Sequence, residues 1–301
     1  MKIVITGAAG QISYSLIPFL CEKGVFNSSS KIDLNLVEIP QAMQKLEGVV
    51  KELEDSAYSN VNKILTFDDI SLAVEDADWC LLVGSIPRGI VFKGKEIKER
   101  ADLLQINGGI FTKQGQAIGE RSKDTCKILV VGNPANTNAL IGQKNACNPR
   151  QTWMAMTMLD ALRAKAQLAL KIGCHVDDIY RLAVFGNHSP TKYPDLENAV
   201  INGSKVSTLI DDKDWVEKQF LPKIQQRGAE IIHARGASSA SSAARAACET
   251  VKAVEHKTRD GDIFNAAVIS DGSYGINEGV FSGFPLISDG EGNIEMVRDF
   301  S

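Results

Sequence analysis

The stretch KIVITGAAGQISYSL near the N-terminus constrains the fold more than any other. An apolar run ends abruptly in glycines, which reads as a buried strand entering a tight turn. QISYSLIPFLCEKGVF then carries helical spacing, with Ile12, Leu16, Phe19 and Leu20 predicted on one face. The alternation continues with KIDLNLVEI as a second strand and QAMQKLEGVVKELEDSA as a second amphipathic helix. DADWCLLVGSIP and CKILVVGNPAN are two further apolar runs closed by glycine and polar residues. Strands alternating with helices predict a doubly wound, Rossmann-type parallel sheet of α/β class.

The second half is patterned differently. MTMLDALRAKAQLALKIG and the long segment KIQQRGAEIIHARGASSASSAARAACETVKAVEHK read as helices, with shorter β-like runs in RLAVFGNHS and FNAAVISDG. The expected division is residues 1–152 as a nucleotide-binding domain and 153–301 as a mixed α+β domain. A chain of 301 residues is long enough for two such cores. Its net charge of −4 gives no reason to expect nucleic acid or an anionic membrane as partner. The six cysteines are scattered without a C-x-x-C pair, so neither a zinc site nor a disulfide framework is expected, and a reducing, cytoplasmic compartment fits. No signal peptide or membrane span is expected either.

The turn itself, Gly7 to Ser13, stands where a strand meets a helix. Backbone amides at a helix start attract a pyrophosphate, Gly7 permits the tight turn, and Gly10 lets a phosphate approach with no Cβ in the way. Glu38 closes the second strand, where a carboxylate would accept hydrogen bonds from an adenosine ribose and repel a 2′-phosphate, favouring NAD over NADP. The alternative is a bare turn, with Glu38 as a surface cap.

Asp160 and Arg163 share one helical face in LDALR, and His188 follows an apolar run in FGNHSP. An imidazole exchanges protons near neutral pH, and a carboxylate partner would fix its tautomer. From spacing alone, His188 can equally be a surface-loop histidine and Arg163 a helix-surface charge paired with Asp160.

Together the segments TGAAGQI, LVGSIPR, ERADLLQIN, VVGNPANTN, LDALRAKAQLALKIG, FGNHSPTKYPD, QQRGAEIIHARGASSA and VISDGSYGI resemble the lactate/malate dehydrogenase family, and within it the cytosolic-type malate branch. The resemblance implies NAD-dependent interconversion of (S)-malate and oxaloacetate, with no metal, by a homodimer. His188 matches the proton donor and acceptor, Asp160 the carboxylate that orients it, and Arg163 the clamp on the substrate carboxylate. Arg100 matches the arginine that polarises the reacting carbonyl. Asn133 matches a residue at the junction of cofactor and substrate, and Ser242 a serine near both. Gly7, Gly10, Gln11, Ile12, Glu38, Gly84, Asn107, Gln114 and Val131 match cofactor contacts.

Two departures from the family pattern stand out. Between Pro87-Arg88 and Arg100 the chain is several residues longer than the family loop. Arg88 matches the arginine for the distal carboxylate of a dicarboxylic substrate. Counting back from Arg100 instead places Gly94 there, flanked by Lys93 and Lys95. A pocket lined by Ile90, Val91 and Phe92 would favour lactate or an aromatic 2-hydroxy acid. The C-terminal helix expected of the family is not seen after MVRDFS. A catalytically idle NAD-binding protein is the alternative from another class, and the four intact residues His188, Asp160, Arg163 and Arg100 argue against it.

Overall fold

Parallel strand pairing organises the first half of the chain. The computed structural model describes residues 1–27, 31–86, 91–92, 95–96 and 100–300. The chain divides into two packed units, Met1–Lys23 with Ser28–Ala155 and Gly24–Asn27 with Met156–Ser301. The first contains β1 (Lys2–Thr6), α1 (Gln11–Leu20), β2 (Ile32–Val37), α2 (Met43–Asp55), β3 (Val61–Phe67), α3 (Ile70–Ala73) and β4 (Trp79–Leu82). It continues through β5 (Val91–Phe92), β6 (Lys95–Glu96), α4 (Arg100–Arg121), β7 (Lys127–Val130), α5 (Ala135–Ala146) and β8 (Thr152–Ala155).

Six of these strands lie in the order β8-β7-β4-β1-β2-β3, each neighbour parallel to the next. The chain winds outward from β1 to β3 and then returns to β4 on β1's other side. That reversal makes the carboxyl ends of β1 and β4 the switch point, where ligands of such sheets bind. Ile3, Val4 and Ile5 of β1, all of β4, and Ile128 to Val130 of β7 are fully buried, as expected of strands covered on both faces. α4 and α5 pack against each other so closely that a Cβ on Gly115 would fall into the backbone of Gly142.

Several expectations need correction. α1 buries Ser13, Leu16, Ile17 and Leu20 in place of the predicted set with Ile12 and Phe19, which are only half-buried. β3 was not expected, because VNKILTF is an edge strand whose exposed polar positions hide its period. The division between units falls after Ala155, which keeps β8 whole beside β7.

The second unit begins with α6 (Met158–Ile172), followed by β9 (Ile179–Tyr180), β10 (Val184–Phe185), β11 (Tyr193–Pro194), β12 (Val200–Ile201) and β13 (Ser204–Lys205). Short helices α7 (Val206–Leu209) and α8 (Lys213–Trp215) and a π-helical turn lead into α9 (Leu221–Arg235). Then come α10 (Ser241–Glu255), β14 (Phe264–Ile269), β15 (Phe281–Ser288) and β16 (Ile294–Met296). The long helix expected over 223–257 is therefore two. α9 ends at Gly236, whose φ of 66° is left-handed, and α10 restarts five residues on.

Within this unit α6 packs on α10, whose buried face is largely alanine and so admits close approach. A separate apolar cluster gathers Leu168, Leu182, Ile201, Phe220 and Ile224. β10 and β11 pair antiparallel and form the hairpin whose tip carries residues 186–192. Its base is tied to β15 by the Gly283 amide, which donates to the Gly186 carbonyl at 2.7 Å. No described helix is long and apolar enough to cross a membrane.

Candidate active site

In the first unit, Gly7 leaves β1 with a φ of 64°, a conformation that L side chains rarely adopt. A Cβ there would also lie 2.5 Å from the Gly84 Cα, so the turns after β1 and β4 touch backbone to backbone. The Gly84 amide donates to the Thr6 carbonyl at 3.1 Å and seals that contact. The Gly10 amide donates to Gly7 O at 2.9 Å, and α1 then starts with no side-chain cap and no acidic residue in its first turn. The amides at the start of α1 itself are therefore left without a side-chain cap or a first-turn carboxylate.

Glu38 is drawn into this turn. Its Oε2 accepts from the Ala9 amide at 3.0 Å and its Oε1 from the Ile39 amide at 2.9 Å. A carboxylate has lone pairs beyond these two bonds, so it can still accept from a ribose hydroxyl. A turn that lacks a Cβ at Gly7, Gly10 and the facing Gly84, an uncapped helix start and an adjacent carboxylate fit a dinucleotide with an unphosphorylated ribose. Gln11 is exposed and Ile12 half-buried at the same end of α1.

The remaining cofactor candidates divide by what they touch. Asn107, fully buried, clamps the turn after β4. Its Oδ1 accepts from the Ile86 amide at 2.9 Å and its Nδ2 donates to the Ile86 carbonyl at 3.1 Å. Gln114 is buried, and its Oε1 has no partner among the described residues. Val131 continues β7 through its amide to Leu82 O at 2.9 Å. Asn133 is exposed just beyond it, ahead of a cis bond to Pro134. Asn138, not anticipated from sequence, donates to the Gly132 carbonyl at 2.9 Å and fixes that turn.

In the second unit the first turn of α6 presents Asp160, only 1% exposed. The hairpin tip brings His188 to it, Nδ1 to Oδ2 at 2.6 Å. Arg163, one turn along the helix, donates NH1 to Asp160 Oδ1 at 3.3 Å and NH2 to Ser239 Oγ at 3.3 Å. A third cation completes the group: Lys192, 4% exposed, donates its Nζ to Asp160 Oδ1 at 2.6 Å. Burial pushes the Asp160 carboxyl upward, but the hydrogen bond and charge of His188 and the Lys192 ammonium outweigh it. The carboxyl therefore sits below its ordinary value. Burial lowers Arg163 from its usual value, and Asp160 opposes that shift.

The structure thus brings Asp160, Arg163 and His188 together. Ser242 lies exposed in the first turn of α10, and the serine that meets Arg163 is Ser239. Arg88, together with Ile90, Lys93 and Gly94, lies outside the described residues, as do the side chains of Arg100, Val91, Phe92 and Lys95. Lys192 and Ser239 were missed from sequence because a lysine or serine in a polar loop carries no periodic signal of burial.

Comparison with known proteins identifies the family. Residues 1–155 match the model for the lactate/malate dehydrogenase NAD binding domain, and residues 157–301 match the alpha/beta C-terminal domain of the same family. A malate dehydrogenase from Magnetococcus marinus is 44% identical over 298 residues, covering 99% of this chain and 89% of the relative. The crystal structure of malate dehydrogenase from Naegleria fowleri superposes with a TM-score of 0.92 at 38% identity, covering 100% of this chain and 90% of that one. Trichomonas vaginalis lactate dehydrogenase in complex with NADH and oxamate superposes with a TM-score of 0.89 at 34% identity, with the same coverage. The chain is a two-domain dehydrogenase with an N-terminal NAD-binding domain, and it belongs to the lactate/malate dehydrogenase family.

Proposed function

We propose that the chain is a malate dehydrogenase, interconverting (S)-malate and oxaloacetate, and that His188, Asp160 and Arg163 carry the chemistry in its second unit. The observation that supports this most directly is the 2.6 Å contact between His188 Nδ1 and a buried, ionised Asp160, with Arg163 alongside. The malate dehydrogenase likeness at 44% identity supports the substrate. Gly7, Gly10, Glu38 and Gly84, with Gln11, Ile12, Val131 and Asn133 nearby, would hold NAD, which when bound would supply or accept the hydride.

His188 handles the proton. Asp160 accepts from Nδ1–H and so fixes the tautomer in which Nε2 is the atom that exchanges a proton with the substrate oxygen. In reduction, protonated His188 gives that proton to the developing alkoxide; in oxidation, neutral His188 takes it back. Arg163 clamps the substrate carboxylate with its planar fork, and both of its present contacts are long enough to yield to a stronger acceptor. Arg100 stabilises the charge on the reacting oxygen, Arg88 reads the distal carboxylate, and Asn133 and Ser242 line the substrate. Gln114 and Asn107 support the cofactor side. The likeness to the family supports a homodimer, and six unbonded cysteines suit the reducing cytoplasm.

The test is NADH oxidation with oxaloacetate, pyruvate and phenylpyruvate side by side, repeated with NADPH. A large kcat/KM preference for oxaloacetate is expected, with turnover collapsing in His188→Gln while NADH still binds. Preference for pyruvate would transfer the assignment to a lactate dehydrogenase, the activity of the Trichomonas protein. No turnover of any of the three would overturn the enzyme assignment.

A further inference from the structure

Lys192 is the least expected member of the cluster. A lysine is almost never buried unless paired, and this one, 4% exposed, is paired with the same carboxylate that holds His188. Its position is built in from both sides. Its own amide donates to Ser189 O at 3.2 Å within the hairpin tip, and its carbonyl accepts from Gln225 Nε2 of α9 at 3.1 Å. The ammonium is therefore delivered to Asp160 Oδ1 by a fixed backbone, opposite the oxygen that His188 occupies.

Counting the charges shows what this does. Asp160 contributes one negative charge against two fixed positive ones, Lys192 and Arg163, before His188 takes a proton. The charged groups facing the cluster are Lys192 from the hairpin, Arg163 from α6 and, acting through Arg163, Arg227 of α9, itself paired with Glu230 at 2.8 Å. A histidine–aspartate pair alone would stabilise the imidazolium strongly. With Lys192 on the other oxygen, its ammonium and an imidazolium at His188 would share the one negative charge of Asp160.

We infer that Lys192 is a positioning residue that acts through Asp160. It keeps the buried carboxylate ionised and oriented while opposing protonation of His188, and so extends the oxidative direction to lower pH. This rests on the proposed dehydrogenase role of His188. The general consequence is that malate oxidation, which needs neutral His188, begins on the acid side earlier than it would with an uncharged residue at 192.

The experiment compares wild type with Lys192→Gln, Lys192→Met and Lys192→Arg in kcat/KM for malate oxidation across pH, each variant's fold checked by circular dichroism. Gln keeps a donor for Asp160 Oδ1 without charge, Met removes both, and Arg keeps the charge. The acid limb should move up by about one pH unit in the Gln and Met variants and stay near wild type in the Arg variant. A purely packing role would change Tm and kcat and leave the limb in place, which would overturn the inference. So would an equal displacement in Lys192→Arg. A second readout is independent of turnover: the His188 ring resonance, assigned by its loss in His188→Gln, should titrate higher in Lys192→Gln than in wild type in the cofactor-free protein. An inactive wild type would sink the dehydrogenase assignment, while this titration would still judge the effect of Lys192.

Discussion

His188 Nδ1 and Asp160 Oδ2 lie 2.6 Å apart although Asp160 belongs to a helix and His188 to a hairpin tip 28 residues later. The carboxylate accepts, so the imidazole must present N–H at Nδ1. Asp160→Asn offers an amide that can donate to Nδ1 instead and so favours the wrong tautomer. The expected loss in kcat is about 10²- to 10⁴-fold with NADH affinity unchanged. Steady-state kinetics with fluorescence titration of NADH checks it, and a loss under threefold would refute the role of Asp160.

The same residue sets an acid limit on stability. Burial raises the Asp160 carboxyl, but His188 and Lys192 more than offset it, so its folded value is depressed. A depressed carboxyl stabilises the fold above the unfolded-state value, near pH 4, and that contribution disappears as pH falls through the lower folded value. Asp160→Asn also leaves Lys192 and Arg163 buried without their anion, at a cost of about 3 kcal/mol at neutral pH. The gap in Tm between wild type and variant should be widest near pH 7 and narrow steadily below about pH 4. A gap independent of pH between 7 and 3 would contradict the charge assignment.

Glu38 gives a prediction about cofactor choice. Its two oxygens are already turned to the Ala9 and Ile39 amides, which fixes the carboxylate beside the glycine turn. Glu38→Ser removes the negative charge and loosens the turn. The KM for NADH should rise about tenfold and the NADH-over-NADPH preference should fall by about one to two orders of magnitude. Parallel assays with both cofactors decide it, and an unchanged preference would place Glu38 away from the ribose.

How much of this was legible in the sequence depends on where each residue sits. The strands β1, β4 and β7 were readable because burial on both faces forces unbroken apolar runs, β2 because its apolar residues outnumber Asp33 and Asn35, and the glycine turn because it stands where a strand meets a helix. The edge strand β3 escaped because its exposed side chains carry no such demand. Ile17 displaced Phe19 from α1's buried face through packing choices that helical spacing alone does not rank. At the site, Asp160, Arg163 and His188 were found through motif resemblance, since spacing left His188 open as a surface residue. Lys192 was invisible because its burial comes from contacts with Asp160 and Gln225, both more than thirty residues away in sequence, which no local pattern reports.

Gly7→Ala tests the backbone contact at the switch point. The substitution puts a side chain on a residue with φ of 64° and drives its Cβ toward Gly84. The turn cannot yield without moving β1 or β4, both buried. We expect NADH affinity to drop at least about tenfold and stability by about 1–3 kcal/mol from backbone strain and the clash. Gly24→Ala, also at positive φ but with nothing nearby, should leave NADH binding unchanged.

Cysteine reactivity separates the buried thiols from the exposed one. Burial, aided by Glu22, pushes Cys21 up to about 12, and burial with Glu249 pushes Cys248 up to about 11. Neither forms an appreciable thiolate at pH 8, and both are shielded from reagent. Cys147 is exposed at the C-terminal end of α5 in a left-handed conformation, with its Sγ directed to the Lys144 carbonyl at 3.6 Å. A thiol-specific chromogenic reagent at pH 8 should therefore give a fast phase that Cys147→Ser abolishes, with Cys21 and Cys248 reacting only after denaturant is added. Cys174 is half-buried and is replaced in a second variant; persistence of the fast phase in Cys147→Ser with Cys174→Ser would mean that one of the buried thiols is transiently opened in the native protein.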